Sequence, residues 1–442
     1  MCVNEQQYQL HSDQPILQKT KLGWIVAGPM QLPSHHSRTV CNSITNQQLH
    51  KQVERFWEIE NHSIKKISSE LNPLDDLEQH FLSTTEQDKD GRFIVTIPFK
   101  DEVNDLGESY TRAHKCLLDL ERKLSKQPEL KKAYSEFMED YENQGHMVMI
   151  SAREIKTDKV VNYLPHHAVL KEGTTTTKIR GVYNGSFPTS TGLSLNQVQR
   201  VCPIVQNDLI SIMLRFRQHP IVISADIAQM YRQIKINKNQ QDLQRILWRA
   251  DPSLPICHYR LTTVTYGTAS APYLATRVLR QIGEENKNSY HVASEVIIRD
   301  FYVDDHLTGT STVEEARQLK EESTKLLAAS GMELWKWASN EPRVFSDLNH
   351  STSERMIKSD KDPRTLGLFW KPETDELQYL VKEQEKQQIT KRSILSTTAK
   401  IFDPFGLVGS VIIRAKIILQ KLWELELSWN EALPQKFTNS LD

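Results

Sequence analysis

Two adjacent aspartates, Asp304 and Asp305, lie in the run Phe301-Tyr302-Val303-Asp304-Asp305-His306. Like charges side by side are unfavourable unless a cation joins them. Oxygen-only ligands suit Mg²⁺, which keeps several waters and takes one or two carboxylates plus substrate phosphates. The plain alternative is a solvated acidic turn. Val296-Ile297-Ile298 leads in and Leu307-Thr308-Gly309 leads out, which reads as a β-hairpin with the carboxylates at its tip. A second stretch, Ile221-Val222-Ile223-Ser224-Ala225-Asp226, is an apolar strand ending in one more carboxylate. If the two strands are neighbours, Asp226, Asp304 and Asp305 can hold two metal ions about 3.5–4 Å apart. That arrangement clamps the attacking and leaving oxygens of phosphoryl transfer.

The elements that must position these acids belong to a chain of 442 residues, enough for two or three domains. Apolar residues make up 38% and charged residues 25%, an ordinary globular balance. The net charge is −1, so any nucleic-acid surface must be local. The five cysteines are scattered without a CxxC pair, which argues against a zinc site or a disulfide framework and fits a reducing compartment. The start, Met1-Cys2-Val3-Asn4-Glu5, is unlike a signal peptide. Arg414 and Lys416 interrupt the longest apolar stretch, so no membrane span is expected.

Periodicity supplies the framework. Leu22 to Pro29 holds a short strand, and Gly91 to Lys100 holds another, closed by Pro98. Residues 108–146 read as two helices, with Cys116, Leu117, Leu120 and Leu124 inward on the first and Leu130, Tyr134, Phe137, Met138 and Tyr141 on the second. Tyr163 to Lys171, a four-threonine turn and Lys178 to Ser186 follow. Lys178 and Arg180 on that second strand can grip a triphosphate or form a basic edge that deters strand pairing. The pair His166-His167 has no partner at ligand spacing, which favours a structural role. Arg245 to Arg249 and Ile256 to Leu261 make a hairpin around Asp251-Pro252. Gly267 and Pro272 bracket small residues before a helix from Tyr273 to Ile282. Thr312-Val313-Glu314-Glu315 is a capping box, closed by Gly331, and Met332 to Trp337 is the next strand. Residues 391–423 carry six bases against one acid, with Val408, Val411, Ile412, Ala415, Ile418, Leu419 and Leu422 at helical spacing. Such a helix is a solvated face or lies along a phosphate backbone.

Taken together, Asp226 with Tyr231, then Tyr266-Gly267-Thr268-Ala269-Ser270-Ala271-Pro272, then Tyr302-Val303-Asp304-Asp305 resemble the palm of a reverse transcriptase. The wording is closest to the Pao/BEL retrotransposon polyproteins and extends over roughly residues 20–425. The resemblance implies an α+β fold: a right-hand polymerase core of fingers, palm and partial thumb, with an antiparallel palm sheet packed on helices. Residues 1–50 would be the tail of a preceding aspartic protease with a linker, and 51–150 a helical lead-in. Residues 151–340 would be fingers and palm. Residues 341–442 would be a primer-grip hairpin and a truncated thumb or connection. The implied activity is RNA-directed DNA polymerase, adding deoxynucleotides to a primer 3′ hydroxyl with two Mg²⁺ ions (or Mn²⁺ as a substitute) held by Asp226, Asp304 and Asp305.

Residue by residue, the resemblance makes Lys178 and Arg180 contacts to the incoming nucleotide, Tyr231 the screen against a ribose 2′ hydroxyl, and Gly267 a close approach to the base pair. Lys336 matches the palm lysine that protonates the leaving pyrophosphate, or is a solvent lysine on an edge. Tyr302, Gly367, Lys391, Arg392, Arg414 and Lys416 fall in primer- and template-binding segments. The implied partners are an RNA or DNA template with its primer, deoxynucleoside triphosphates, and the RNase H and integrase domains of a parent polyprotein, with no membrane. The implied location is a cytoplasmic virus-like particle. No RNase H or integrase motif is read after residue 425, and the absence of Asp-Thr-Gly and Asp-Ser-Gly predicts no peptidase activity. Gly181, Asn184 and Gly185 stand where the family wording has Val, Asp and Ala, which predicts altered strand geometry there. The alternative reading is a catalytically silent remnant that folds and binds nucleic acid.

Overall fold

The computed structural model describes residues 73–155, 159–170, 179–345, 364–365, 368–378 and most of 389–433, with the backbone of three strands near the start. Met1–Glu70 form one unit and Leu71–Asp442 another. In the first, β1 (Val3–Tyr8), β2 (Ile16–Thr20) and β3 (Gly23–Ala27) make an antiparallel sheet, and β3 is the strand expected around Trp24. Arg55 to Glu60, whose wording also resembles the family's lead-in to the fingers, lies outside the described residues.

The second unit begins with α1 (Pro73–Thr84), β4 (Glu86–Gln87) and β5 (Phe93–Val95). The strand expected before Pro98 is only three residues long. Gln240 takes the Ile97 N–H through its side chain at 2.6 Å, and Pro98 has no N–H to donate, so the ladder stops. The two expected helices follow as α2 (Tyr110–Ser125) and α3 (Pro128–Asn143). Leu117, Leu120 and Leu124 are buried on the first and Leu130, Tyr134, Met138 and Tyr141 on the second, while Cys116 and Phe137 at the edges of the stripes are half-buried. Gly145, at φ +72°, ends the second helix in a left-handed conformation that costs glycine little. Next come β6 (Met147–Met149), α4 (Ala152–Ile155), and the hairpin β7 (His166–Leu170) and β8 (Ile179–Tyr183). Register runs unbroken from His166↔Tyr183 to Leu170↔Ile179, so the altered geometry expected at Gly181 is not found. Gly181 instead admits a ring: a Cβ there would stand 2.7 Å from Phe137 Cε1.

Chain order continues with α5 (Leu195–Val198), α6 (Leu209–Phe216), β9 (Ile221–Ile227), α7 (Met230–Gln233) and β10 (Lys235–Ile236). β11 (Arg245–Trp248) and β12 (Cys257–Leu261) form the expected hairpin, with β6 on its far edge. α8 (Ala271–Glu285) and α9 (His291–Arg299) precede β13 (Phe301–Tyr302), β14 (Asp305–Thr310), α10 (Val313–Ala329) and β15 (Leu334–Ser339). One expectation fails here. Val296-Ile297-Ile298 belongs to helix α9, and the strand before the aspartates is only two residues. Ala293, Val296 and Ile297 sit three and four positions apart on one buried face. A three-residue apolar run fits a strand or a buried helix equally well.

The sheet that matters runs β13-β14-β9-β15, with antiparallel neighbours throughout. Both of its faces are covered. Val222 and Leu307 pack with Ile212, Met213 and Phe216 of α6. Ile223 packs with Ala293 and Val296 of α9 and Ala316 and Leu319 of α10. Each fully buried aliphatic side chain contributes roughly 1.5–3 kcal/mol. The capping box at Thr312 and Glu315 is present and opens α10. Mixed helices and small antiparallel sheets make the chain α+β.

Beyond the sheet, β16 (Arg364–Thr365), β17 (Leu368–Lys371) and β18 (Glu376–Gln378) form a small antiparallel sheet, and Trp370 is fully buried against Phe216. α11 (Lys391–Ala399) and α12 (Gly409–Glu424) follow. Of the stripe expected on the last helix, Leu419 and Leu422 are buried, but Val411 is 55% exposed. Among the described residues no helix is long and apolar enough to cross a membrane.

Candidate active site

β9 and β14 place the acids by register. Asp305 pairs directly opposite Asp226, so the two side chains share one face of the sheet. Asp304 sits in the turn between β13 and β14, and its carbonyl accepts from the Ile227 N–H at 2.9 Å. Val303 turns the corner at φ +56°, with its N–H held by Gln206 Oε1 at 2.8 Å. The base of the hairpin is fixed by Asp300, which is buried and takes Arg215 Nε at 2.8 Å and Thr308 Oγ1 at 2.9 Å. Sequence reasoning passed over Asp300, Arg215 and Gln206. An acid four residues before the pair and an arginine on a separate helix give no motif.

Lys336 lies on β15, across β9 from the aspartate pair, and its Nζ meets Asp226 Oδ2 at 3.0 Å. Burial drives the Asp304 carboxyl above the usual carboxylate range, and the Asp226 charge adds to it. Arg180 and Lys336 oppose that rise. Burial, followed by the charges of Asp304 and Asp226, pushes Asp305 up to about 8. The donor set is all carboxylate oxygen, which suits a hard divalent cation. The acids do not, however, close on one point. Among the described residues no three His, Cys, Asp or Glu side chains have metal-site spacing.

These shifts predict the pH dependence of the metal-free protein. A carboxyl whose folded pKa lies above its unfolded value of 3.8 stabilises the fold fully below that value and loses the contribution as pH rises towards about 8. Three buried histidines act in the opposite sense. His146, His166 and His306 are each lowered by burial to about 4, so they stabilise above 6.5 and lose it as pH falls. Between pH 6.5 and 8 the histidines are neutral in both states, and Asp305 dominates. The melting temperature in EDTA should therefore peak near pH 6.5 and fall towards pH 8, as followed by circular dichroism. Asp305→Asn should flatten the alkaline side. An unchanged slope in that variant would remove Asp305 as its cause.

Around the acids, Tyr231 is half-buried, and burial together with the Asp304 charge raises its phenol. Its ring meets Tyr266 edge to face at 6.3 Å. Tyr266 is also within 3.4 Å of Arg232 Nη2, and the Arg232 guanidinium lies 4.5 Å from the ring centre of Tyr141 on α3. Gly267 adopts φ +97°, and a Cβ there would come within 2.2 Å of the Tyr183 carbonyl. Asn196 holds this loop from the far side. Its Nδ2 donates to the Gly267 carbonyl at 3.0 Å, and its Oδ1 accepts from the Ala269 N–H at 2.9 Å. A Cβ on Gly185 would lie 2.6 Å from that Oδ1, which explains glycine there. Asn196 is a second positioning residue that spacing alone does not reveal.

Arg180 is exposed on β8 and close enough to Asp304 to lower its pKa. Lys178 and Gly367 lie outside the described residues. Tyr302 is half-buried and packs against the core that holds Trp370. Arg414 and Lys416 are exposed on α12. Arg392 donates to Asn430 Oδ1 at 2.8 Å. Lys391 corrects the expectation of a phosphate contact. It is 5% exposed, with its ammonium 4.5 Å from the ring centre of Trp423 and 5.9 Å from that of Trp429. A cation stacked on indole faces is held by the ring quadrupoles and turned away from solvent. A basic run does not disclose tryptophans more than thirty residues further along. His166 is structural as expected, joined to Tyr134 Oη at 2.6 Å and the Leu247 carbonyl at 2.9 Å. A cleft of about 490 Å³ opens beside Met138, Trp248 and Tyr259, and none of the acids lines it.

Residues 390–442 match the model of a family described as a Pao retrotransposon-like RNaseH-like domain. The match indicates a Pao/BEL retrotransposon Pol region. The match is RNaseH-like over a stretch that the resemblance assigns to thumb or connection, and it runs past residue 425, which corrects the expectation that nothing RNase H-like is found there. No curated protein matches the chain.

Proposed function

We propose that the second unit is the reverse transcriptase region of a Pao/BEL Pol polyprotein, a right-hand polymerase core. The supporting observation is the register that sets Asp305 opposite Asp226 on adjacent strands, with Asp304 in the turn between β13 and β14. Asp226, Asp304 and Asp305 would hold Mg²⁺, with Mn²⁺ as a substitute. Two such ions, when bound, activate the primer 3′ hydroxyl and stabilise the departing pyrophosphate. The chain's own residues do the rest, and for phosphoryl transfer that is mostly positioning and charge. Arg180, with Lys178, neutralises the triphosphate. Tyr231 stands beside Asp304 and excludes a 2′ hydroxyl. The glycine backbone at 267 lets the nascent base pair approach. Tyr302, Gly367, Arg392, Arg414 and Lys416 take the primer–template backbone. Neighbouring RNase H and integrase domains, and a virus-like particle in the cytoplasm, belong to the same proposal.

Extension of oligo(dT) on poly(rA) with dTTP and Mg²⁺ or Mn²⁺ tests this reading. Template-dependent extension is expected. The silent-remnant reading is favoured by the three acids that do not converge. A folded chain that binds primer–template in a salt-dependent way and extends nothing would establish it instead.

A further inference from the structure

The backbone at Lys336 is unusual. β15 pairs with β9 at Leu334↔Ile227 and Trp335↔Asp226, loses register, and resumes at Ala338↔Ser224. Within that irregularity Lys336 adopts φ +51°, a left-handed conformation that a long L side chain takes only at a cost in strain. Such strain persists where the surroundings impose it. What it achieves is visible in the contacts. The side chain leaves the ordinary alternation of the strand and brings its ammonium to 3.0 Å from Asp226 Oδ2 and 4.0 Å from the ring centre of Trp335. A solvent lysine on an edge strand needs neither the irregularity nor the left-handed backbone. The same charge also opposes the crowding of Asp304 and Asp305.

We propose that Lys336 is a resident counter-cation, one that occupies Asp226 while the site is metal-free and is displaced when a divalent ion binds. It rests on the functional reading above only in requiring that such an ion bind these acids. It accounts for two observations together. The three carboxylates do not converge among the described residues, because one of them is already engaged. The sheet nevertheless tolerates them side by side, because a positive charge is built in. The device has a direct consequence for a lysine expected to serve the pyrophosphate: it is released to act only after the metal has taken its place.

The test reads binding and stability, independently of turnover. Mn²⁺ binding to the full chain is followed by the electron paramagnetic resonance of the free ion, and melting is measured in EDTA and in saturating Mn²⁺. Lys336→Met should bind Mn²⁺ about fivefold more tightly, equivalent to about 1 kcal/mol. It should melt lower than wild type in EDTA, and the gap should close in Mn²⁺. Lys336→Arg, which keeps the charge, should behave as wild type. Lys336→Gly, which accepts the left-handed backbone, should tighten Mn²⁺ binding as Met does and serves if the Met variant misfolds. Equal Mn²⁺ affinity in wild type and the uncharged variants would overturn the inference and leave the polymerase reading standing. No Mn²⁺ binding in any of them would overturn both.

Discussion

Asp304→Asn should reduce nucleotide addition by about a thousandfold or more while raising the melting temperature of the metal-free protein. The two effects have one origin. The amide keeps the shape of the carboxylate and removes its charge. On the proposed two-metal reading Asp304 is a metal ligand, and in phosphoryl transfer, where the protein contributes charge and position, losing one forfeits several kcal/mol at the transition state. A factor of ten is about 1.4 kcal/mol, so a thousandfold corresponds to about 4 kcal/mol. In the metal-free fold the same charge is a liability, because burial and Asp226 both disfavour it. Opposite signs in one variant separate chemistry from folding. Primer extension and melting in EDTA provide the two readouts. Extension within tenfold of wild type would remove Asp304 from the chemistry. A lower melting temperature would show instead that its charge is compensated in the fold.

Gly267→Ala should destabilise the second unit by about 3 kcal/mol and lower nucleotide use in whatever protein still folds. The native φ of +97° is strained for any L side chain. The added Cβ would also lie 2.2 Å from the Tyr183 carbonyl, a backbone atom of β8 that cannot swing aside. Strain and overpacking cost about 1–3 kcal/mol each in such settings. Relief would have to come from moving the 266–269 loop, which Asn196 holds at Gly267 and Ala269 while its amide also reaches Ser186 Oγ. Urea unfolding measures the first effect. The KM for dTTP on a surviving fraction measures the second. A loss under 1 kcal/mol would mean that the loop shifts freely and that Asn196 is not its anchor.

The sequence disclosed most of what positions the acids and less of what surrounds them. β9 and the pairing of Asp226 with the aspartate hairpin were legible because strands bury alternating residues and the acid ends an apolar run. The hairpin between β11 and β12 and the capped helix α10 were legible through turn and cap chemistry. Val296 was misassigned because three apolar residues carry no period. Lys391 was misassigned because a charge pattern records valence and not the distant indoles that cover it. Lys336 was singled out by wording, but its bulge and its partner are properties of register between strands distant in sequence. Asn196 and Asp300 are invisible for the same reason: each acts through a backbone or a hydroxyl supplied by another segment.

The strand at the middle of the acid-bearing sheet has consequences for how the chain acquires its shape. β9 ends at Ile227, but its two partners are Asp305–Thr310 and Leu334–Ser339. Long-range pairings must meet the entropy of loop closure before any contact rewards them. During synthesis, the local hairpin of β7 and β8 has its partner at once, whereas β9 leaves the ribosome with both edges open. It stays open until roughly residue 340 has followed, several seconds later or more at ordinary elongation rates. An apolar strand with open edges is a hazard for pairing with other chains. Asp226 at its end supplies a charge that resists such pairing before it meets its two neighbours.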